Sequence, residues 1–145
     1  MDIESQLRLD EDVEAVAFYL DENGGRLDAD PAGEAGVWWA TMRPRTIPEE
    51  QYYVRIGWLR YPDAPPSVKF GTAVGGSLGI TAAWPVVPSY RPGNFDICAP
   101  FTKEGFESHP EWAAQFPWPT TGNPFLWIVD IVQGHLDRSY QGRSG

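Results

Sequence analysis

The chain has 145 residues, 42% of them apolar and 14% aromatic, with one cysteine and a formal charge of −9. That size and composition give one globular domain, long enough to bury about two-thirds of the surface of its unfolded chain, and exclude a disordered segment. The charge leaves no basic stripe for a phosphate backbone, so no nucleic-acid partner is expected, and a lone cysteine closes no internal disulfide, which excludes a disulfide-built secreted scaffold.

The N-terminal residues Met1-Asp2-Ile3-Glu4-Ser5 are acidic and carry no apolar core of a signal peptide. No apolar run approaches the length that spans a bilayer, so the expectation is a cytoplasmic protein with no membrane partner. Fifteen glycines and 14 prolines leave room for few regular elements among many loops.

Leu9, Val13, Val16, Ala17 and Leu20 fall on one helical face, which predicts a helix over residues 9–20. Asp10, Glu11, Asp12 and Glu14 would then sit at its N-terminal end, where the helix dipole favours acidic groups. Asn23-Gly24-Gly25 stops it. A polar loop to Gly36 leads to a strand over residues 37–43 and a turn over 44–50. The clearest strand, 51–59, places Tyr52, Val54, Ile56 and Trp58 on one face, with Tyr53, Arg55 and Leu59 on the other.

Residues 61–70, Tyr-Pro-Asp-Ala-Pro-Pro-Ser-Val-Lys-Phe, organise the remainder of the chain. Each proline locks its own φ and pushes the preceding residue into an extended conformation, so three in five residues make a stiff corner that is neither helix nor central strand. Val68 and Phe70 resume a short strand. Residues 71–88 read as a packed Gly-rich loop and 90–98 as a further short strand with Phe95 and Ile97 alternating. Residues 99–121 read as irregular. Phe125, Val129, Val132 and Leu136 define a final helix ending near Asp137, and the tail from Ser139 is expected to fray. The class is α+β: a helix packed on an antiparallel meander, in one domain over 1–145 with its core at about 10–137.

This order of pieces resembles the ubiquitin-conjugating enzyme family. That family has an N-terminal helix, a four-stranded antiparallel meander, a Tyr-Pro-x-x-Pro-Pro-x-Val-x-Phe corner, an irregular segment bearing the active-site cysteine, a Trp-Pro pair and further helices. Tyr61, Pro62, Pro65, Pro66, Val68 and Phe70 match the corner at every named position. Trp39 fits the second-strand tryptophan, Asp96-Ile97-Cys98 resembles the Gly-x-Ile-Cys segment, and Trp118-Pro119 with the last helix resembles the Trp-Ser-Pro segment and its helix. The likeness departs in its longer spacings around the cysteine and in the missing His-Pro-Asn, to which Arg91-Pro92-Gly93-Asn94 stands nearest. Ala99-Pro100 replaces Leu-Asp, and the first helix is acidic. It points to a divergent branch, such as the bacterial relatives encoded beside ubiquitin-like proteins.

The resemblance implies that Cys98 receives a ubiquitin-like protein as a thioester from an activating enzyme and passes it to an amine of a protein substrate, with no organic cofactor and no metal. The chemistry needs a thiolate and a donor aimed at the developing oxyanion. Asn94, four residues before Cys98, is the candidate donor if the chain turns sharply between them, and Asn123 is the second. His109 or Asp96 would orient or deprotonate the incoming amine. His135 reads as helix surface, and Cys98, His109 and His135 have no recognised metal-ligand spacing. Two other readings stand beside this one: an inactive variant of the same fold that binds a ubiquitin-like protein or peptide, and a small immunity-type protein that sets its acidic surface against a basic partner.

Overall fold

In the computed structural model, which describes residues 1–145, helix α1 spans Ile3–Glu22 and so starts well before Leu9. Asp2 caps it, its carboxylate accepting the Ser5 N–H at 2.8 Å. Ser5 occupies the buried position one turn before Leu9, and its Oγ accepts the Tyr61 N–H at 3.2 Å. A polar residue therefore holds the place where the apolar spacing would have continued. The acidic group at 10–14 consequently lies in the middle of the helix, not in its first turn, and the dipole plays no part in its placement. Asp12 instead accepts the Tyr61 hydroxyl hydrogen bond and pairs with Arg8 at 3.5 Å.

Four antiparallel strands come next, in sheet order: β1 Arg26–Ala29, β2 Val37–Met42, β3 Tyr52–Gly57 and β4 Ser67–Gly71. β1 lies in the stretch expected as loop. It is an edge strand with no buried residue, so it carries no alternating apolar pattern to read. The pairing sets Ala40 against Val54, Val54 against Phe70 and Ile56 against Val68. Helix α4, Pro124–Arg138, packs beside α1, and the core forms between the helices and one sheet face. Leu9, Val16 and Leu20 come from α1, Tyr52, Val54 and Ile56 from β3, and Phe125, Val129, Val132 and Leu136 from α4. Each large apolar side chain fully buried this way contributes about 1.5–3 kcal/mol.

The proline corner between β3 and β4 is fastened to both helices. Its Tyr61–Pro62 peptide is cis. Tyr61 is buried edge-on to Trp58, with ring centroids 4.7 Å apart, and the Trp118 indole N–H donates to the Pro62 carbonyl at 2.7 Å.

Beyond β4 the chain is more regular than its composition predicts. Residues 90–98 form a hairpin, β5 Tyr90–Arg91 and β6 Asp96–Ile97, in place of one strand. Phe95, at φ +56°, closes its turn. Two short helices, α2 Lys103–Ser108 and α3 Trp112–Gln115, occupy the segment expected to be irregular. The tail is docked, not frayed: Gln141 and Ser144 donate N–H bonds to the carbonyls of Val86 and Trp84, both at 2.9 Å. Arg143 reaches Glu50 at 2.9 Å and lies over the Tyr52 ring, 4.3 Å from its centroid. No helix is long and apolar enough to cross a membrane.

Candidate active site around Cys98

The segment bearing Cys98 is clamped to the sheet and the corner on both sides of the cysteine. Before it, Lys69 of β4 donates to the Phe95 carbonyl at 2.7 Å. After it, the Thr102 hydroxyl donates to the Ile97 carbonyl at 2.6 Å and accepts the Gly105 N–H at 2.9 Å, which closes the loop and caps α2. The Lys103 N–H donates to the Pro66 carbonyl at 2.8 Å, and Glu104 accepts the Ser67 hydroxyl at 2.6 Å. Gly105 presses so closely on Ala99 that a Cβ there would lie 2.1 Å from the Ala99 carbonyl oxygen. Local hydrogen bonding thus turns an apparently irregular loop into a fixed platform.

Cys98 is half-buried, and its N–H donates to the Ser89 carbonyl at 2.9 Å across the open end of the hairpin. Ser89 sits at φ +76°, a left-handed conformation that costs a non-glycine residue about 1–3 kcal/mol. In the hairpin register, Cys98 falls on the same face as Arg91 and Asp96, opposite the buried Ile97. Arg91 and Asp96 form a two-pronged ion pair, both contacts 2.8 Å. Asp96 raises the guanidinium above its usual range, first by hydrogen bonding and then by charge, and Cys98 adds in the same direction.

The other residues singled out in the sequence are dispersed. Asn94 is exposed in the turn of the hairpin, while Cys98 lies beyond its open end, so the Arg91–Asp96 and Tyr90–Ile97 rungs separate them. The chain does turn between Asn94 and Cys98, but in a sense that sends Asn94 away from the sulfur. Asp96 shares the face of Cys98 and is committed to Arg91. His109 ends α2, stacks on Trp112 with centroids 4.1 Å apart, and sets Nδ1 3.0 Å from the Glu111 carboxylate. Asn123 is the N-cap of α4: its carbonyl accepts the Leu126 N–H at 2.9 Å while its amide donates to the Asp12 carbonyl at 3.0 Å. Its side chain ties α4 to α1. No group of three or more His, Cys, Asp or Glu side chains converges anywhere.

His135 is not the surface residue expected. Its ring is half-buried between Tyr90 and Phe101, and Nδ1 lies 2.9 Å from the Tyr90 hydroxyl. Burial, and secondarily the Arg138 charge, lower its pKa, so the neutral imidazole is favoured. A pocket of about 310 Å³ opens beside it, lined by Ser89, Ala99, Pro100, Phe101 and Ile131 among others. Ser89, the backbone partner of Cys98, and Ala99, its chain neighbour, both line this pocket, but Cys98 itself does not: its register places it on the Arg91 face, opposite Tyr90 and Ile97. A larger cleft of about 560 Å³ shares Pro100, Phe101 and Ile131 with this pocket and extends to Phe116 and Trp127, which are 47% and 41% exposed. Tyr90 and His135 are 45 residues apart, and no local pattern links them; only the packing of α4 against the hairpin brings them together. No family model, no curated protein and no solved structure matches the chain.

Proposed function

We propose that the chain is a divergent ubiquitin-conjugating-like enzyme that carries a ubiquitin-like protein as a thioester on Cys98 and transfers it to an amine of a protein substrate. The observation that carries this reading is the setting of Cys98: a partly exposed residue on a segment held by Lys69 before it and Thr102 after it, and tied through Lys103 to the proline corner. Positioning of this kind converts a bimolecular attack into one within a complex. The Cys98 thiolate attacks the thioester presented by an activating enzyme, a new C–S bond forms, the old C–S bond breaks and the cysteine of that enzyme leaves as a thiolate. The substrate amine then attacks the Cys98 thioester, a C–N bond forms, the C–S bond breaks, the amine nitrogen gives up a proton to solvent and the thiolate is regenerated.

A second reading keeps the fold and drops the chemistry, leaving a module that binds a ubiquitin-like protein or peptide. It is favoured by the placement of Asn94 at the far end of the hairpin, away from the sulfur.

The test is direct. Native protein is treated with iodoacetamide, and separately with the mercaptoethanesulfonate thioester of acetyl-Gly-Gly, and the intact mass is followed. The enzyme reading expects alkylation at Cys98 without denaturant, and a thioester adduct that free lysine discharges. A cysteine that labels only after unfolding, or one that alkylates but never accepts the acyl group, would leave the binding module.

A further inference from the structure

Residues 141–144 are held in the manner of a bound peptide. They run antiparallel to residues 84–86, with Arg143 paired to Pro85. The Val86 N–H donates to the Gly142 carbonyl at 2.7 Å, and Gln141 and Ser144 donate to the Val86 and Trp84 carbonyls, both at 2.9 Å. Main-chain bonds of this kind fix an extended segment without reading its side chains. Two positions supply the reading. Gly142 sits at φ +107°, a conformation that favours glycine. Arg143 commits all three guanidinium nitrogens. Nε and Nη2 donate to the Glu50 carboxylate at 3.3 and 2.9 Å, while Nη2 and Nη1 donate to the Gln51 and Ala82 carbonyls, both at 2.9 Å. The same group lies over the Tyr52 ring, 4.3 Å from its centroid. A lysine ammonium offers no such planar fork.

The segment is held by polar contacts alone. Gln141 to Gly145 carry no apolar side chain, and the Arg143 side chain remains 34% exposed. Undocking therefore breaks hydrogen bonds, an ion pair and a cation–π contact but opens no core, which places it at the low end of the scale of local opening. The segment also leaves part of the site unfilled. A pocket of about 450 Å³ continues beside Arg143, lined by Glu49, Glu50, Tyr53, Thr72 and Ile80 among others. Arg143 is the one basic residue in its wall, set against the two carboxylates. We propose that the groove between residues 49–53 and 82–86 recognises an extended basic segment of another protein that carries Gly-Arg, and that residues 141–145 are its resident, displaceable occupant. The incoming glycine and arginine take the places of Gly142 and Arg143, the main-chain bonds to Trp84 and Val86 are remade, and a second basic residue meets Glu49. This inference is independent of the reading of Cys98.

The test titrates the full-length protein into a fluorescein-labelled peptide, Gln-Gly-Arg-Ser-Gly-amide, and follows fluorescence anisotropy. In the parent protein the resident segment competes, and binding is weak. Arg143→Ala empties the guanidinium site, and Gly142→Val forbids the positive φ, so each frees the groove without touching the core. Both variants should bind the peptide more tightly than the parent by about tenfold or more, a factor set by how seldom the groove stands open. Lysine in place of the peptide's arginine, or alanine in place of its first glycine, should weaken binding to the variants by roughly tenfold. Equal affinity for the arginine and lysine peptides would reduce the attraction to that of an acidic protein for any cation and overturn the proposal. So would equal binding by parent and variants, which would place the peptide elsewhere on the surface. Failure of both variants to bind at millimolar protein would make residues 141–145 a fixed part of the fold and overturn it as well. A parent dimer in sedimentation that dissociates in Arg143→Ala would assign the groove to the same segment of a second copy and overturn the claim of a foreign partner.

Discussion

Gly105→Ala tests the contact that sets where Cys98 lies. A Cβ at this position would stand 2.1, 2.7 and 2.8 Å from the carbonyl oxygen, nitrogen and carbonyl carbon of Ala99. All three atoms are backbone, so no rotamer change relieves the clash, and α2 must move off the loop or the loop must move with Cys98. Overpacking of a closed contact costs about 1–3 kcal/mol, and this geometry belongs at the upper end. Replacing glycine by alanine within a helix returns up to about 1 kcal/mol. The expected net loss is about 2 kcal/mol, or a Tm lower by about 4–8 °C for a chain of this size. Tryptophan fluorescence during a thermal melt reads the first quantity, and the iodoacetamide rate at Cys98 reads the displacement of the loop. A Tm at or above that of the parent would refute the close packing of α2 on Ala99 and, with it, the fixed platform under Cys98.

Asn123→Ala removes a helix cap and the bond to the Asp12 carbonyl together, so the urea midpoint should fall by the equivalent of about 1–2 kcal/mol with the slope unchanged; an unaltered midpoint would mean that the cap carries no stability. Arg143→Ala strips the tail of its contacts to Glu50, the Gln51 and Ala82 carbonyls and the Tyr52 ring, and faster hydrogen exchange at the Gln141 and Ser144 amides is expected; exchange as slow as in the parent would show that the backbone bonds alone hold the tail. His135 gives a pH signature. Its folded pKa lies below the unfolded value of about 6.5, so the unfolded chain takes up a proton first, and stability declines as the pH falls below about 6.5 toward the folded value. Chemical denaturation at a series of pH values should show this decline, and His135→Gln should flatten it. An undiminished slope in that variant would assign the decline to other groups.

The elements legible in the sequence are those whose partners are water on one side and core on the other. β3 was readable because Tyr52, Val54 and Ile56 alternate with half-buried neighbours, and α4 because Phe125, Val129, Val132 and Leu136 repeat at helical spacing. The first turns of α1 were not, because buried Ser5 satisfies its hydroxyl through Asp2 and Tyr61 and so mimics a surface position. β1 was hidden by its place at the sheet edge. α2 depends on the Thr102 cap and on Gly105, a poor helix former kept there by the closeness of Ala99, so its local preference argues against the structure it adopts. The tail was unreadable for a different reason: its hydrogen-bonding partners, Trp84 and Val86, are supplied by a loop more than fifty residues away. Of the site, the sequence singles out Cys98 and the corner. It does not reveal Ser89, whose carbonyl holds the Cys98 N–H, or the Tyr90–His135 contact, which only the packing of α4 against the hairpin creates.

The anchors of the Cys98 platform lie within residues 66–69 and 95–105, with Ser89 holding the Cys98 N–H, whereas the chain from Pro110 to Pro117 is a largely exposed excursion with no hydrogen bond to any of them. The support of the Cys98 loop and the wall of the larger cleft are thereby drawn from separate stretches of chain. The excursion, which contributes Gln115, Phe116 and Pro117 to the wall of the larger cleft, can be lengthened, shortened or exchanged without shifting the sulfur. It is the natural place for grafting a foreign segment while the Cys98 loop keeps its anchors.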